Sequence, residues 1–181
     1  MRRRELLAGA AGLGVLGVGA ATVYGDFDVS DRNGEETDTD GDIEPVTLPR
    51  IEAQGSPPGE EAIPEAGRVT FVELFATWCS ICKANMEPMG DAAAQLEDVQ
   101  FISVTNEPVG QTVEVESVVE WWDEFGGDWH LAHDADLELT RRLDATEIPH
   151  AAVFDEDNAL VWESTGYKNT ETILDAVETA E

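Results

Sequence analysis

From residue 45 onward the chain alternates short apolar runs with segments whose apolar residues recur every three or four positions. The run RVTFVELFA (68–76) is β-branched, aromatic and apolar almost throughout, which predicts a strand buried on both faces. Cys82, Met86, Met89, Ala93 and Leu96 follow at helical spacing, so the next element is an amphipathic helix. Pro88 falls inside it and is expected to kink it, because the ring removes a backbone donor and crowds the preceding turn. VQFISV (99–104) predicts a second strand. Val115, Val118, Val119, Trp122 and Phe125 are expected to line one face of a second helix, which Gly126 and Gly127 end.

DWHLAHD (128–134) predicts a short strand on which His130 and His133 lie at the surface, followed by a helix over 136–143 with Arg141 and Arg142 near its C-terminus. HAAVFD and ALVWEST flank a tight turn at 156–158 and predict a hairpin. Asn169 or Thr170 caps a last helix whose buried face is Ile173, Leu174 and Val177. The order of elements implies an α/β sandwich with a mixed central sheet, parallel crossovers first and an antiparallel hairpin last.

The N-terminal part has a different character. Arg2, Arg3 and Arg4 precede an uncharged apolar run over 6–24, the pattern of an export signal, and RRELL is similar to a twin-arginine signal. The run ends in small residues suited to cleavage, yet it is also long enough to remain as a membrane anchor with the rest of the chain outside. Residues 25–45 are rich in Asp, Glu, Thr and Gly and read as a solvated, disordered linker. Asp38, Asp40 and Asp42 lack the glycine and glutamate offsets of a calcium-binding loop. The domain proper is expected over 46–181.

Composition narrows the function. With 39 Asp and Glu against 10 Lys and Arg, the formal charge is −29, which disfavours nucleic acid and anionic lipid as partners. Apolar residues make up 42% of the chain, enough for a core, so the acidity belongs to the surface. Such a lysine-poor acidic surface resembles that of proteins from salt-accumulating archaea, where high ionic strength screens self-repulsion.

Both cysteines lie in FATWCSICK, as Cys79 and Cys82. A zinc site needs about four ligands, and only His130, His133 and His150 could join them. A staple across so short a loop would remove little unfolded-state entropy. A redox pair fits the position: Cys79 ends a strand and opens a helix, where free N–H groups and the helix dipole stabilise a thiolate. Cys79 can then attack a disulfide and Cys82 can resolve the mixed disulfide.

FVELFATWCSICK resembles the active-site segment of the thioredoxin superfamily. ATWCxxCK in an exported chain is most similar to the TlpA/ResA-like branch, whose strand before the core is matched by VTLPRIEAQGS. The resemblance implies a thioredoxin-like fold and an extracytoplasmic thiol–disulfide oxidoreductase, more reductant than oxidant, needing no bound cofactor. Its clients would be protein thiols and disulfides, such as apocytochromes or other exported proteins, and its electrons would come from a membrane redox partner.

The resemblance also implies that Glu73 is the buried carboxylate beneath the cysteines and takes the Cys82 proton. The alternative for Glu73 is a solvent-facing position on an edge strand. Ile148 and Pro149 match the cis-proline loop facing the disulfide, with Ile148 contacting substrate; a trans proline opening a strand is the plain alternative. Trp78 is expected to cover one side of the disulfide. The match is not complete, because Asn85 stands where an acid often does in the ResA-like pattern, and Ser80 and Ile81 match neither familiar dipeptide. That dipeptide helps set the potential, which in CxxC proteins spans about −270 to −120 mV. A competing expectation joins His150 to Cys79 and Cys82 in a copper-delivery site.

Overall fold

The computed structural model describes residues 43–181; the expected signal and most of the expected linker lie outside the described residues. Strands β1 (Val46–Arg50), β2 (Gly59–Ile63) and β3 (Thr70–Phe75) precede helix α1 (Ser80–Ala93). Then come β4 (Gln100–Thr105), α2 (Val115–Glu124), β5 (His130–His133), α3 (Glu138–Arg142), β6 (His150–Phe154), β7 (Leu160–Thr165) and α4 (Thr170–Glu178). The seven strands form one sheet in the order β2-β1-β5-β4-β3-β6-β7. β3, β4 and β5 run parallel, and the other pairings are antiparallel.

Every residue of β3 and of β4 is buried, as their unbroken apolar pattern predicts for strands covered on both sides. Alternation divides them cleanly. Phe71 and Phe75 of β3 meet Met86 and Met89 of α1, Val118 and Trp122 of α2, and Ile173 and Val177 of α4. Val72 and Leu74 face the other way, toward Leu139 and Leu143 around α3. Glu73 shares the face of Phe71 and Phe75, so period-two geometry alone carries it beneath α1.

Several expectations change. β2 was not foreseen: GEEAI carries two glutamates and an exposed pattern, and it becomes a strand by pairing with β1 in full register. Val115 is 41% exposed, so the buried stripe of α2 is Val118 and Trp122. Gly126 and Gly127 end that helix as expected: Gly126 takes the left-handed φ of +76°, and the Gly127 N–H donates to the Trp122 carbonyl at a place where a Cβ would run into the Trp122 ring. Pro88 lies inside α1, as expected, and the helix runs on to Ala93; the carbonyl deprived of its donor is that of Ala84, an exposed residue. Ala176, rather than Leu174, completes the buried face of α4, and Asn169 is its cap, accepting from Thr172 N at 2.8 Å.

His130 and His133 are half-buried and engaged instead of lying free at the surface. His130 Nδ1 lies 2.7 Å from Glu61, which also accepts from Gln100 Nε2 at 2.8 Å, so the cluster ties β2 to β5 and β4. Burial works against ionisation of Glu61, but hydrogen bonds from His130 and Gln100 hold its carboxyl below the usual range.

The short α3 depends on Asp134, a fully buried residue. Its carboxylate accepts from Glu138 N at 2.7 Å and from Thr140 N and Oγ1 at 2.8 Å. Asp134→Ala leaves these donors unmet, and the expected loss is about 2 kcal/mol. Guanidinium unfolding at high salt measures it; an unchanged midpoint would show that α3 is held by packing alone.

Candidate functional site

The β3–α1 junction builds the site. Cys79 is the N-cap residue of α1 with extended backbone, and Cys82 lies in the first turn. The two are joined as a disulfide with their Cα atoms 5.2 Å apart. The Cys82 N–H points at Cys79 Sγ, 3.1 Å away. A capping position normally filled by a serine or aspartate oxygen is thus filled by sulfur, and the same N–H will stabilise a thiolate there once the bond is reduced. Cys79 is 6% exposed and Cys82 is 1% exposed, so a partner can reach only the first.

On the sheet face that carries the cysteines lies Glu73, 1% exposed at the centre of the sheet, on β3 between β4 and β6. The edge-strand alternative is therefore ruled out. Glu73 Oε2 accepts from Asn85 Nδ2 at 3.0 Å and lies 3.4 Å from Lys168 Nζ. Burial pushes the Glu73 carboxyl up to about 7, against the pull of the Lys168 ammonium and the Asn85 amide. Asn85, which replaces the acid expected in the helix, acts here as the donor to an acid placed on the strand.

The Ile148–Pro149 peptide bond is cis, as is Ile63–Pro64, which nothing in the sequence pattern marks. Pro149 is buried, and Ile148 is half-buried against both apolar layers. The Pro149 carbonyl accepts from Gly166 N at 3.1 Å, which ties this loop to residues 166–168. Trp78 stands 75% exposed beside the cysteines, out in solvent more than packed over the core. Ile81 and Tyr167 are exposed as well, and Lys83 Nζ sits 3.9 Å from the Phe125 ring centroid.

His150 does not join the cysteines. Opposite Leu74 in the register, it lies on the α3 face of the sheet, while its neighbour Ala151 pairs with Glu73. Its Nε2 lies 3.6 Å from Glu163, and burial pushes its pKa down against that carboxylate's pull. Among the described residues no group of three His, Cys, Asp or Glu could hold a metal. The copper expectation is corrected by strand alternation itself: adjacent residues of β6 point to opposite faces.

Two residues escaped the sequence reading. Lys168 is 1% exposed, and its only outward sign is that the chain has just two lysines. Glu107 is buried after β4 and accepts from Thr77 N at 2.8 Å, Thr77 Oγ1 at 3.0 Å and Thr105 Oγ1 at 3.2 Å. It thereby clamps the turn that delivers Cys79.

Residues 45–179 match the Redoxin family. No curated protein matches the chain by sequence. Among solved structures, StoA from Bacillus subtilis superposes with a TM-score of 0.61 at 16% identity, over 76% of this chain and 98% of that one. The exposed lipoprotein thioredoxin Etrx1 of Streptococcus pneumoniae gives 0.62 at 17%, over 74% and 98%. A secreted Mycobacterium tuberculosis disulfide oxidoreductase gives 0.60 at 15%, over 74% and 94%. At these identities the likeness establishes a thioredoxin-like fold.

Glu107→Ala is expected to free the Thr77 amide, raising its hydrogen-exchange rate, and to lower stability by about 2 kcal/mol. An unchanged Thr77 exchange rate would remove Glu107 from the support of this turn. With a Cys79–Cys82 disulfide at the start of α1 and a family match across the whole described domain, the chain belongs to the Redoxin family as a thiol–disulfide oxidoreductase.

Proposed function

We propose that the protein reduces disulfides of client proteins outside the cytoplasmic membrane. One observation carries the reading. A helix-capping sulfur that receives the Cys82 N–H lies within reach of a partner, while its resolving cysteine is enclosed on the same sheet face as an ionisable carboxyl.

In the reduced enzyme the Cys79 thiolate attacks one sulfur of a client disulfide. That S–S bond breaks, the first client thiolate leaves, and a mixed disulfide to Cys79 forms. Cys82 then gives its proton to the Glu73 carboxylate and attacks Cys79 Sγ, expelling the second client thiolate. The enzyme ends with the Cys79–Cys82 bond, and the client has gained two electrons. Glu73 releases its proton before the next cycle. A further dithiol must return the electrons, and the proposed extracytoplasmic location, without a glutathione pool, points to a membrane partner as its source.

Client binding rests on Trp78, Ile81 and Tyr167, with Ile148 beside Pro149 meeting an extended client segment. The clients this reading implies are protein disulfides, including those of apocytochromes and other exported proteins. A twin-arginine-type signal over 1–24 and an acidic linker to residue 45 would place the domain outside, tethered or released. Its acidic surface suits a high-salt medium. Among the described residues no helix is long and apolar enough to cross a membrane.

The test is trapping combined with a potential. Cys79→Ser abolishes exchange, whereas Cys82→Ser accumulates a client adduct that a reductant releases. Glu73→Gln leaves adduct formation intact and slows its resolution about 100-fold. Equilibration against thiol–disulfide buffers should place the pair near the reducing end of the range, about −270 mV. A value near −120 mV would instead make the protein an oxidant of its clients, and failure of Cys82→Ser to trap any adduct would remove Cys79 as nucleophile.

A further inference from the structure

A chain of 181 residues with 39 carboxylates holds only two lysines, and both stand at this site. Lys83 is exposed and lies over the Phe125 ring. Lys168, between β7 and α4, is enclosed, and burying an ammonium is costly unless a charge and hydrogen bonds meet it. Both demands are satisfied by Glu73 and Gly166. Its Nζ lies 3.4 Å from Glu73 Oε2 and donates to Gly166 O at 2.8 Å.

The placement of that ammonium is fixed from both sides. The Lys168 N–H donates to Asn85 Oδ1 at 3.0 Å, and Asn85 Nδ2 donates to Glu73 and, at 3.2 Å, to the same Gly166 carbonyl. Gly166 N in turn donates to Pro149 O. One asparagine of α1 therefore sets the carboxylate, the lysine backbone and the glycine carbonyl together, and the glycine joins them to the cis-proline loop.

We propose that Lys168 is a positioning residue of the dithiol reaction: its ammonium keeps Glu73 in the ionised form that accepts the Cys82 proton. The proposal rests on Glu73 being that acceptor. Other groups around Glu73 do not supply the charge. β4 and β6 present Ser103 and Ala151 in register with it, and α1 presents Asn85 and the cysteines. His150 meets Glu163 of β7 on the other face of the sheet from Glu73, and burial and the Lys168 charge both work against its protonation, while the Glu107 carboxylate is committed to Thr77 and Thr105. Burial lowers the Lys168 pKa while the Glu73 carboxylate opposes that shift, so the two groups support each other's charge.

The sign follows directly. Loss of the ammonium leaves desolvation unopposed by charge, so Glu73 must bind its proton more tightly and the acid limb of the resolution rate must move to higher pH. The experiment is single-turnover resolution of the mixed disulfide with a two-cysteine peptide, followed from pH 5 to 9 with the full chain. Lys168→Met is expected to move the acid limb up by about one pH unit, a tenfold slower reaction below the limb, with the rate recovered at high pH. Lys168→Arg restores the limb, and Lys168→Met adds no shift in a Glu73→Gln background. A folded Lys168→Met enzyme with an unmoved limb overturns the proposal while leaving Glu73 in its role. An acid limb that persists in Glu73→Gln overturns both. Should Lys168→Met fail to fold, the wild type decides. Two lysines yield two Nζ resonances in a ¹⁵N-lysine sample, with Lys83→Arg assigning them. The Lys168 signal should sense a titration at the pH of the acid limb; a signal that passes through that range unchanged overturns the proposal.

Discussion

A carboxyl in the middle of the central strand is the constraint around which the site is organised. β3 is buried on both faces, and an ionised group there would ordinarily be expelled or neutralised. Glu73 stays in place because α1 contributes an amide and the segment before α4 an ammonium, which oppose but do not cancel the upward push of burial on its carboxyl. Those two partners also satisfy each other: Asn85 accepts from the Lys168 backbone, and both side chains donate to Gly166 O. Meeting one buried charge thus pins α1, the cis-proline loop and the start of α4 to a common point. A buried ion pair of this kind adds little net stability, since desolvation of both groups offsets their attraction. What it fixes is position, since the same contacts join β3, α1 and the start of α4.

The helix terminus imposes a second demand. The first N–H groups of α1 lack carbonyl partners, and the sulfur of Cys79 meets one of them. This geometry can be kept only if the preceding turn cannot relax. Glu107 holds it, taking both the backbone and side-chain donors of Thr77. The two acids divide the work by location. Glu107 spends its lone pairs on the Thr77 and Thr105 donors, whereas Glu73, on the α1 face of the sheet, meets Asn85 and Lys168 and has its carboxyl pushed up by burial.

The central sheet was legible because strands buried on both faces leave continuous apolar runs, as in β3, β4 and β6. The cysteine turn was legible because chemistry, helix start and strand end coincide in one short segment. β2 was not, since GEEAI has no apolar face of its own and owes its conformation to β1. Glu61 and His130 were equally hidden, because their pairing joins residues far apart in sequence. Glu73 stood out as a charge in an apolar strand, but its partner did not. Lys168 is flanked by Tyr167 and Asn169 in what reads as an ordinary polar loop, and only the fold returns that loop to the underside of α1. His150 illustrates the opposite error: closeness to Pro149 in sequence suggested a ligand, and the alternation of β6 turned it to the far face.

The surface and the site obey different electrostatic rules. Around the domain, a large excess of carboxylates makes long-range repulsion the dominant force on any acidic partner at low ionic strength. Salt removes that force, because exposed charges separated by more than about 10 Å are screened at 0.1 M and more strongly above it. It does little to the Glu73–Lys168 contact, which has no room for counterions. Trp78, Ile81 and Tyr167 are exposed, and a contact made by burying their apolar area is one that salt does not weaken in the same way. High ionic strength therefore weakens the surface field while the enclosed Glu73–Lys168 contact stays as it was, so surface and interior respond to the medium independently.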